Sequence, residues 1–257
     1  NASRSEERAV EELGAHLEDA VRIRMVAEVP LGAFLSGGVD SSAVVAVMAG
    51  LSATPVNTCA IGFGDPKYDE TQYAARVAAQ YRTRHYTEQV AAGDFSALNQ
   101  LAAVYDEPFA DASALPTYRV CQLARKHVTV ALSGDGGDES FAGYRRYKWH
   151  LREERLRSLL PAGLRRPLFG SLGKAYPKLD WAPRLFRAKT TLQSLAMDTV
   201  EGYFYGVSVI ASPLRDRLLS PAFKRRLQGY NALHVFRSHQ AQSPTPHPLH
   251  MIQYIDL

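Results

Sequence analysis

The stretch Phe34-Leu35-Ser36-Gly37-Gly38-Val39-Asp40-Ser41-Ser42 stands between two apolar runs, Val29 to Leu35 and Ala43 to Gly50. The first run reads as a strand over residues 30–35, the second as a helix from Ser41 to Ala49. A strand that ends in Ser-Gly-Gly and runs into a helix start is suited to hold an anion. Glycines let backbone N–H groups approach a ligand closely, and the unpaired amides and positive dipole end of the helix favour negative charge. The hydroxyls of Ser36, Ser41 and Ser42 add donors for phosphate oxygens. Asp40 conflicts with this unless a divalent cation stands between carboxylate and phosphate, as Mg²⁺ does when it binds through one or two carboxylates plus phosphate oxygens. Taken alone, the stretch is also compatible with a plain tight turn and helix cap. The loop lacks the lysine of a Walker A motif, the chain has no G-x-G-x-x-G, and Gly170-Ser-Leu-Gly-Lys-Ala175 has the wrong spacing for either.

A second stretch repeats the pattern. In "VTVALSGDGGDESFAGYRRY" (128–147) a β-branched strand, 128–133, again ends in Ser-Gly, at Ser133 and Gly134. The carboxylates Asp135, Asp138 and Glu139 follow. Between the two stretches strands and helices alternate. Residues 56–63 and a short segment near Arg84 to Glu88 read as strands, and 69–81, 94–105 and 115–127 as helices, the last with Pro116 in its first turn. Residues 5–25 form an amphipathic helix with Val10, Leu13, Leu17 and Val21 on one stripe. Alternation of this kind predicts an α/β fold with a doubly wound parallel sheet covered on both faces. Both Ser-Gly loops then emerge at the carboxyl edge of the strands, where such sheets bind ligands. Two loops of this kind with carboxylates around one crevice suit a Mg²⁺-nucleotide and a second, charged substrate.

Beyond Tyr147 the strand-like runs stop, and helical pieces broken by prolines 161, 167, 177, 183, 213 and 221 take over. The expected organisation is an α/β core over 1–147 and a mostly helical part over 148–257. Residues 145–189 are rich in Arg and Lys, a solvated helical face or a docking surface.

The remaining features narrow the class. The chain has 257 residues and a formal net charge of +4, too weak a basic excess to point to nucleic acid. No apolar run reaches the ~18 residues of a membrane span, and no signal-peptide pattern opens the sequence, so a cytoplasmic protein is expected. Cys59 and Cys121 sit in apolar surroundings and read as buried free thiols. The chain begins Asn-Ala-Ser without Met and ends without a helix stop signal, which suggests an excised fragment of a longer protein. His85 is read as structural at a strand end. His247 and His250, with His234 and His239 near them in sequence, lack the further ligands zinc needs. Asp106-Glu107 before Pro108 is read as a plain turn opener, with a second reading that depends on the resemblance below, and Tyr203, Phe204 and Tyr205 as core aromatics.

"SGGVDSS" resembles the pyrophosphate loop of the N-type ATP pyrophosphatases. With "YDETQYA" (68–74), "DEPFADASALPTY" (106–118) and the 128–147 stretch, the chain resembles the synthetase domain of glutamine-hydrolysing asparagine synthetases, most clearly over residues 5–150 and again at "PLHMIQYIDL" (248–257). That resemblance implies an adenine-nucleotide-alpha-hydrolase-like fold. It also implies a ligase that adenylates the side-chain carboxylate of aspartate and lets ammonia displace AMP. Under it Ser36, Gly37, Gly38, Asp40, Ser41 and Ser42 hold the pyrophosphate portion of ATP, and Asp40 and Asp138 ligate Mg²⁺. Leu35, Ile61, Ser133 and Gly134 surround adenosine, Asp135 and Asp138 are the catalytic carboxylates, and the loop at Asp106-Glu107 lies near the nucleotide edge of the sheet. Asp135 stands where many members carry Glu. The implied partners are ATP, aspartate, ammonia, an amino-terminal glutaminase domain of the same protein and a second copy in a homodimer, with no nucleic acid and no membrane. The family continues past Tyr-Ile-Asp-Leu into a segment with a catalytic Lys, so the fragment is expected to bind ATP but to turn over poorly. Rival readings are an amidotransferase acting on a sugar or peptide carboxylate, an RNA-adenylating sulfurtransferase and a non-catalytic ATP-binding module.

Overall fold

The computed structural model describes residues 5–91, 96–107, 109, 111–178, 181, 183, 188–210 and 212–257. The chain divides into two compact units, 1–135 and 136–257.

The first unit is an α/β layer structure. Helix α1 (Glu6–Arg24) is capped by Ser5, whose hydroxyl accepts from the Arg8 amide at 3.3 Å. Strand β1 (Leu31–Phe34) leads into helix α2 (Val39–Leu51), and strand β2 (Asn57–Phe63) into helix α3 (Thr71–Gln80). Strand β3 (Arg84–Val90), helix α4 (Leu98–Val104), helix α5 (Ala114–Arg125) and strand β4 (Val130–Leu132) follow. The four strands are parallel in the order β3-β2-β1-β4. The chain moves outward from β1 to β3 and then returns to the other side of β1. Strand order therefore reverses between β1 and β4, and in a doubly wound sheet that switch point is where a crevice opens.

The period-2 pattern of the strands sorts side chains onto two faces. Ala33, Leu35 and Ala60 join Val21, Val45, Met48, Ala74 and Ala78 beneath α1, α2 and α3. Phe34, Cys59 and Ile61 turn the other way, against Leu123 and Ala124 of α5. Gly32 is needed within β1, because a Cβ there would lie 2.6 Å from the Asn57 carbonyl oxygen.

Three details differ from the sequence expectation. The apolar stripe of α1 is buried only in its second half: Val21 is 3% exposed, Val10 63% and Leu13 43%. Strand β4 is three residues long with Val130 half-exposed, as suits the sheet's edge. Cys121 is exposed on α5, while Cys59 is buried and its thiol is pushed up to about 11 by desolvation. Residues 94 and 95 of the expected 94–105 helix lie outside the described residues, as does Pro108.

Every regular element among the described residues of the second unit is a helix. Its first elements are α6 (Gly137–Phe141), α7 (Arg145–Ser158), α8 (Ala162–Ala175), α9 (Lys189–Ala196) and α10 (Thr199–Val207). Helices α11 (Ser212–Leu218), α12 (Pro221–Leu227), α13 (Leu233–Gln242) and α14 (Pro248–Asp256) complete it. Pro161 caps α8, but Pro167 lies inside that helix rather than breaking it. Tyr147, Tyr203 and Ile252 form its core, with Phe236 and Leu249 packed around them. The basic stretch is partly internal. Arg157 and Arg165 are both 6% exposed, and Arg165 donates to the carbonyls of Leu195 and Met197.

His150 on α7 is buried in this unit, and its pKa falls from 6.5 to about 4. Desolvation is the main cause. Arg157 adds to the fall, and Glu154, 3.7 Å from Nε2, opposes it. The unfolded chain then takes up a proton that the folded chain refuses, so stability is full above pH 6.5 and declines as pH falls toward 4. Urea midpoints are expected to fall across that window by the equivalent of about 3 kcal/mol. His150→Asn should flatten the profile, and a variant with an unchanged slope would contradict the assignment.

Candidate functional site

The corner after β1 is organised by its own small polar groups. The Leu35 amide still donates to Cys59 O at 2.9 Å, and the sheet ends there. Ser36 Oγ lies 3.0 Å from Ser41 Oγ and accepts from the Gly38 amide at 3.2 Å. The Ser36 amide donates to Ser41 Oγ at 3.3 Å. Two serines five residues apart thus tie the end of the strand to the first turn of the helix. Gly38 is the N-cap of α2 and brings no side chain to that role, so the first-turn amides point outward without a side-chain cap. Ser42 Oγ is buried and has no hydrogen-bond partner among the described residues. A phosphate oxygen would remove the cost of that unsatisfied hydroxyl.

Gly37 meets two separate demands. Its φ is +84°, in the left-handed region. A Cβ there would also lie 2.6 Å from the backbone of Tyr73 and Ala74 on α3. The loop is pressed between its own helix and the next one.

The second corner closes on the first. A Cβ on Gly134 would stand 2.6 Å from the Ser41 amide nitrogen and 2.9 Å from the Asp40 carbonyl carbon. The loop after β4 therefore lies directly on the first turn of α2, at the switch point. Ser133 Oγ donates to Asp135 Oδ2 at 2.7 Å and accepts from the Asp135 amide at 3.2 Å, which folds this carboxylate back over its own strand end.

A cleft of about 220 Å³ opens beside the first corner, and neither Ser133 nor Gly134 is among its lining residues. Leu35, Ser36 and Ile61 line it, together with Phe34, Cys59 and Phe63 from the strands. The starts of α3 (Tyr68, Glu70, Thr71) and α5 (Pro116, Thr117, Val120) close it. Of these helix-side groups all but Val120 fall in the stretches 68–74 and 106–118 quoted for the resemblance, but the sequence reading gave none of them a role at the site. Their signal is positional, since each sits at a helix start that follows the carboxyl edge of a strand. Asp69 fixes one of these starts. It accepts from the Thr71 amide and hydroxyl at 3.0 and 2.7 Å, and those bonds hold its carboxyl below the usual range.

A larger cavity of about 680 Å³ lies by α4 and α5, lined by Leu101, Tyr105, Asp106, Glu107 and Phe109 among others. It touches neither Ser-Gly corner, whereas the smaller cleft takes in Ser36, so the smaller cleft is the candidate site. His85 is the second residue of β3, at the strand's amino-terminal end, with Nδ1 2.9 Å from the buried Thr58 hydroxyl. The rings of His247 and His250 are 4.6 Å apart.

Asp138 belongs to the second unit. Gly136, with φ +91°, precedes α6, and Asp138 and Glu139 lie in its first turn. The Asp138 carboxylate lies over Gly143, where a Cβ would come within 1.9 Å of Oδ1. Glu139 Oε1 accepts from the Tyr144 hydroxyl at 2.7 Å, and the Tyr144 pKa is pushed up to about 12, chiefly by that bond. Among the described residues no three His, Cys, Asp or Glu side chains gather as a metal nest. An ion held by one or two carboxylates and by phosphate oxygens requires none, and the Asp40 carboxylate at a first turn with the orphaned Ser42 hydroxyl suits Mg²⁺ carried by a phosphate chain.

The chain matches the family model described as Asparagine synthase over residues 12–257. It is 40% identical over 211 residues to a Methanocaldococcus jannaschii protein provisionally named a glutamine-hydrolysing asparagine synthetase, covering 81% of this chain and 40% of that protein. A Mycobacterium tuberculosis protein named in the same provisional way is 35% identical over 249 residues, 96% of this chain and 36% of its own length. Asparagine synthetase [glutamine-hydrolyzing] 1 of Bacillus subtilis is 28% identical over 255 residues, 98% of this chain and 38% of that protein. The chain thus spans about two fifths of the relatives it matches. No helix among the described residues is long and apolar enough to cross a membrane.

Proposed function

The chain belongs to the asparagine synthase family, and on that premise we propose that it is the ATP-using part of a ligase that converts aspartate to asparagine. ATP adenylates the side-chain carboxylate of aspartate and releases pyrophosphate, and ammonia then displaces AMP. The observation that carries this proposal is the closure of Gly134 onto the Asp40–Ser41 backbone at the switch point, beside a Gly37 that tolerates no side chain. Two strand-end loops in contact there, one of them opening a helix, form an anion cradle next to a cleft lined by Leu35 and Ile61.

Within the proposal, Ser36, Gly37, Gly38, Ser41 and Ser42 bind the pyrophosphate portion through amides and hydroxyls. Leu35, Ile61, Ser133 and Gly134 bound the adenosine. Asp40 and Asp138 would hold Mg²⁺, which would supply positive charge to offset the repulsion between the attacking carboxylate and the phosphate chain. Donors aimed where charge develops on the leaving group stabilise the transition state more than the ground state. Asp135, held by Ser133, keeps a carboxylate at the same edge, suited to orient the incoming amine. Ammonia is proposed to come from a glutaminase domain of the parent protein, in a cytoplasmic and homodimeric enzyme.

The experiment is ATP–pyrophosphate exchange by the full-length parent protein with a panel of carboxylic acids. Aspartate is expected to drive exchange at least ~10-fold above its absence, the scale of one lost polar contact for a wrong acid. Exchange driven by a sugar or peptide carboxylate instead would replace the substrate. ATP binding with no acid-dependent exchange would reduce the protein to a nucleotide-binding module.

A further inference from the structure

The second carboxylate stretch is held from a distant part of the chain. Gln253 on α14 donates its side-chain amide to Glu139 O at 2.9 Å and to Ser140 O at 3.0 Å. These carbonyls lie at the end of α6, a five-residue helix that terminates in Ala142 with φ +57°. Such an end leaves carbonyls without helical donors, and Gln253 supplies both from one side chain. One turn further along α14, Asp256 accepts from the Tyr147 hydroxyl at 2.6 Å, from Arg146 at 2.9 Å and from the Tyr203 hydroxyl. The Arg146 guanidinium lies 3.6 Å from the centre of the Tyr144 ring, and the Tyr144 hydroxyl holds Glu139. Helix α14 therefore grips the Asp138–Glu139 turn twice: directly through Gln253, and through Asp256, Arg146 and Tyr144.

We propose that Gln253 is a positioning residue for Asp138 and Glu139, capping α6 so that these carboxylates keep one orientation. The proposal rests on the reading that this turn serves ATP. A short helix that loses its C-terminal cap frays readily, since it has no interior turn to hold it. Its carboxylates would then spend part of their time turned away, and the affinity for metal-bound nucleotide would fall without any change in the first corner. Arginine or tyrosine substitutions within the Asp256 cluster would disturb the unit's core as well. Gln253 is the member whose removal leaves that core intact.

The test uses the 257-residue chain with Gln253→Leu and Gln253→Lys, the second retaining a donor long enough to reach a carbonyl. Two readouts are made. Amide hydrogen exchange at Ser140 and Gly143, which donate to Gly136 O and Asp138 O, reports the cap without any nucleotide. Titration with ATP at rising Mg²⁺, and in EDTA, reports the carboxylates. Gln253→Leu is expected to exchange at these amides ~10-fold faster, and to need ~10-fold more Mg²⁺ for half-maximal ATP binding, the scale of one or two lost hydrogen bonds. ATP binding in EDTA should be unchanged, and Gln253→Lys should recover both readouts to within ~3-fold of wild type. Unchanged exchange in Gln253→Leu overturns the cap. Faster exchange with wild-type Mg²⁺ dependence overturns the positioning role. Faster exchange in a chain whose wild type shows no Mg²⁺-promoted ATP binding overturns the nucleotide reading instead, and the proposal with it.

Discussion

Gly37→Ala is expected to weaken Mg²⁺-ATP binding by at least ~100-fold and to lower stability by about 2–5 kcal/mol. The left-handed φ of +84° costs any side-chain-bearing residue about 1–2 kcal/mol. The added methyl would meet the Tyr73 and Ala74 backbone at 2.6 Å, and relieving that contact costs about 1–3 kcal/mol more. The backbone can relieve both only by moving the loop away from α3, which carries the Ser36 and Gly38 amides out of register with the first turn of α2. Gly38→Ala provides the comparison. Its φ is −67° and its Cβ would meet only the Ser36 hydroxyl, at 3.3 Å. That variant should fold nearly as well as wild type and lose nucleotide affinity mainly through the added bulk. Chemical denaturation and calorimetric titration of the two variants separate the effects. A Gly37→Ala chain that binds ATP like wild type would show that the corner is only a turn.

Arg157→Ala carries the largest expected loss of stability, about 3–5 kcal/mol. Arg157 and Glu153 are both buried on α7, with Arg157 Nη2 2.9 Å from Glu153 Oε2 and 2.7 Å from Ser194 Oγ. The Ser194 hydroxyl donates in turn to Glu153 at 2.6 Å, and Arg157 also reaches Glu154. The arginine thus joins α7 to α9 inside the helical unit. Removing it leaves a buried carboxylate uncompensated, and the desolvation cost of that charge dominates. Replacing both partners, as Glu153→Leu with Arg157→Met, should cost less than the single variant, because the buried Glu153 charge goes with its partner and only Glu154, which still accepts from the Thr199 hydroxyl, loses its arginine. Urea unfolding of the single and double variants measures the difference. A single variant that loses under about 1 kcal/mol would contradict the buried pair.

How much of this was legible in the sequence depends on the range of the interactions concerned. The β1 corner was legible because its chemistry is local: Ser36, Gly37, Gly38, Ser41 and Ser42 lie within seven residues, and the turn they make follows from their types. The pairing of this corner with Ser133 and Gly134 was legible because alternating strands and helices impose a parallel sheet. Which strands become neighbours was not, yet the order β3-β2-β1-β4 is what sets β4 beside β1. Period alone placed Val10 and Leu13 on the same stripe as Val21, but burial depends on what covers a helix, and the first turns of α1 face outward. Cys121 misled for the same reason, because apolar neighbours in sequence do not place a residue on the inner face of α5. Pro167 was read as a breaker, but α8 accommodates it at the cost of one backbone bond. Gln253 was invisible, since nothing within the chain near residue 253 hints at carbonyls more than a hundred residues away.

The central claim is that the two Ser-Gly corners form a single seat for the pyrophosphate portion of ATP. Its most direct test is calorimetric titration of the wild-type chain with ATP in Mg²⁺, repeated with inorganic pyrophosphate present. Saturable ATP binding that pyrophosphate displaces in competition, and that Asp40→Asn weakens only when Mg²⁺ is present, is the predicted result. ATP that does not bind, or that binds undisturbed by pyrophosphate and by the loss of the Asp40 charge, would contradict it.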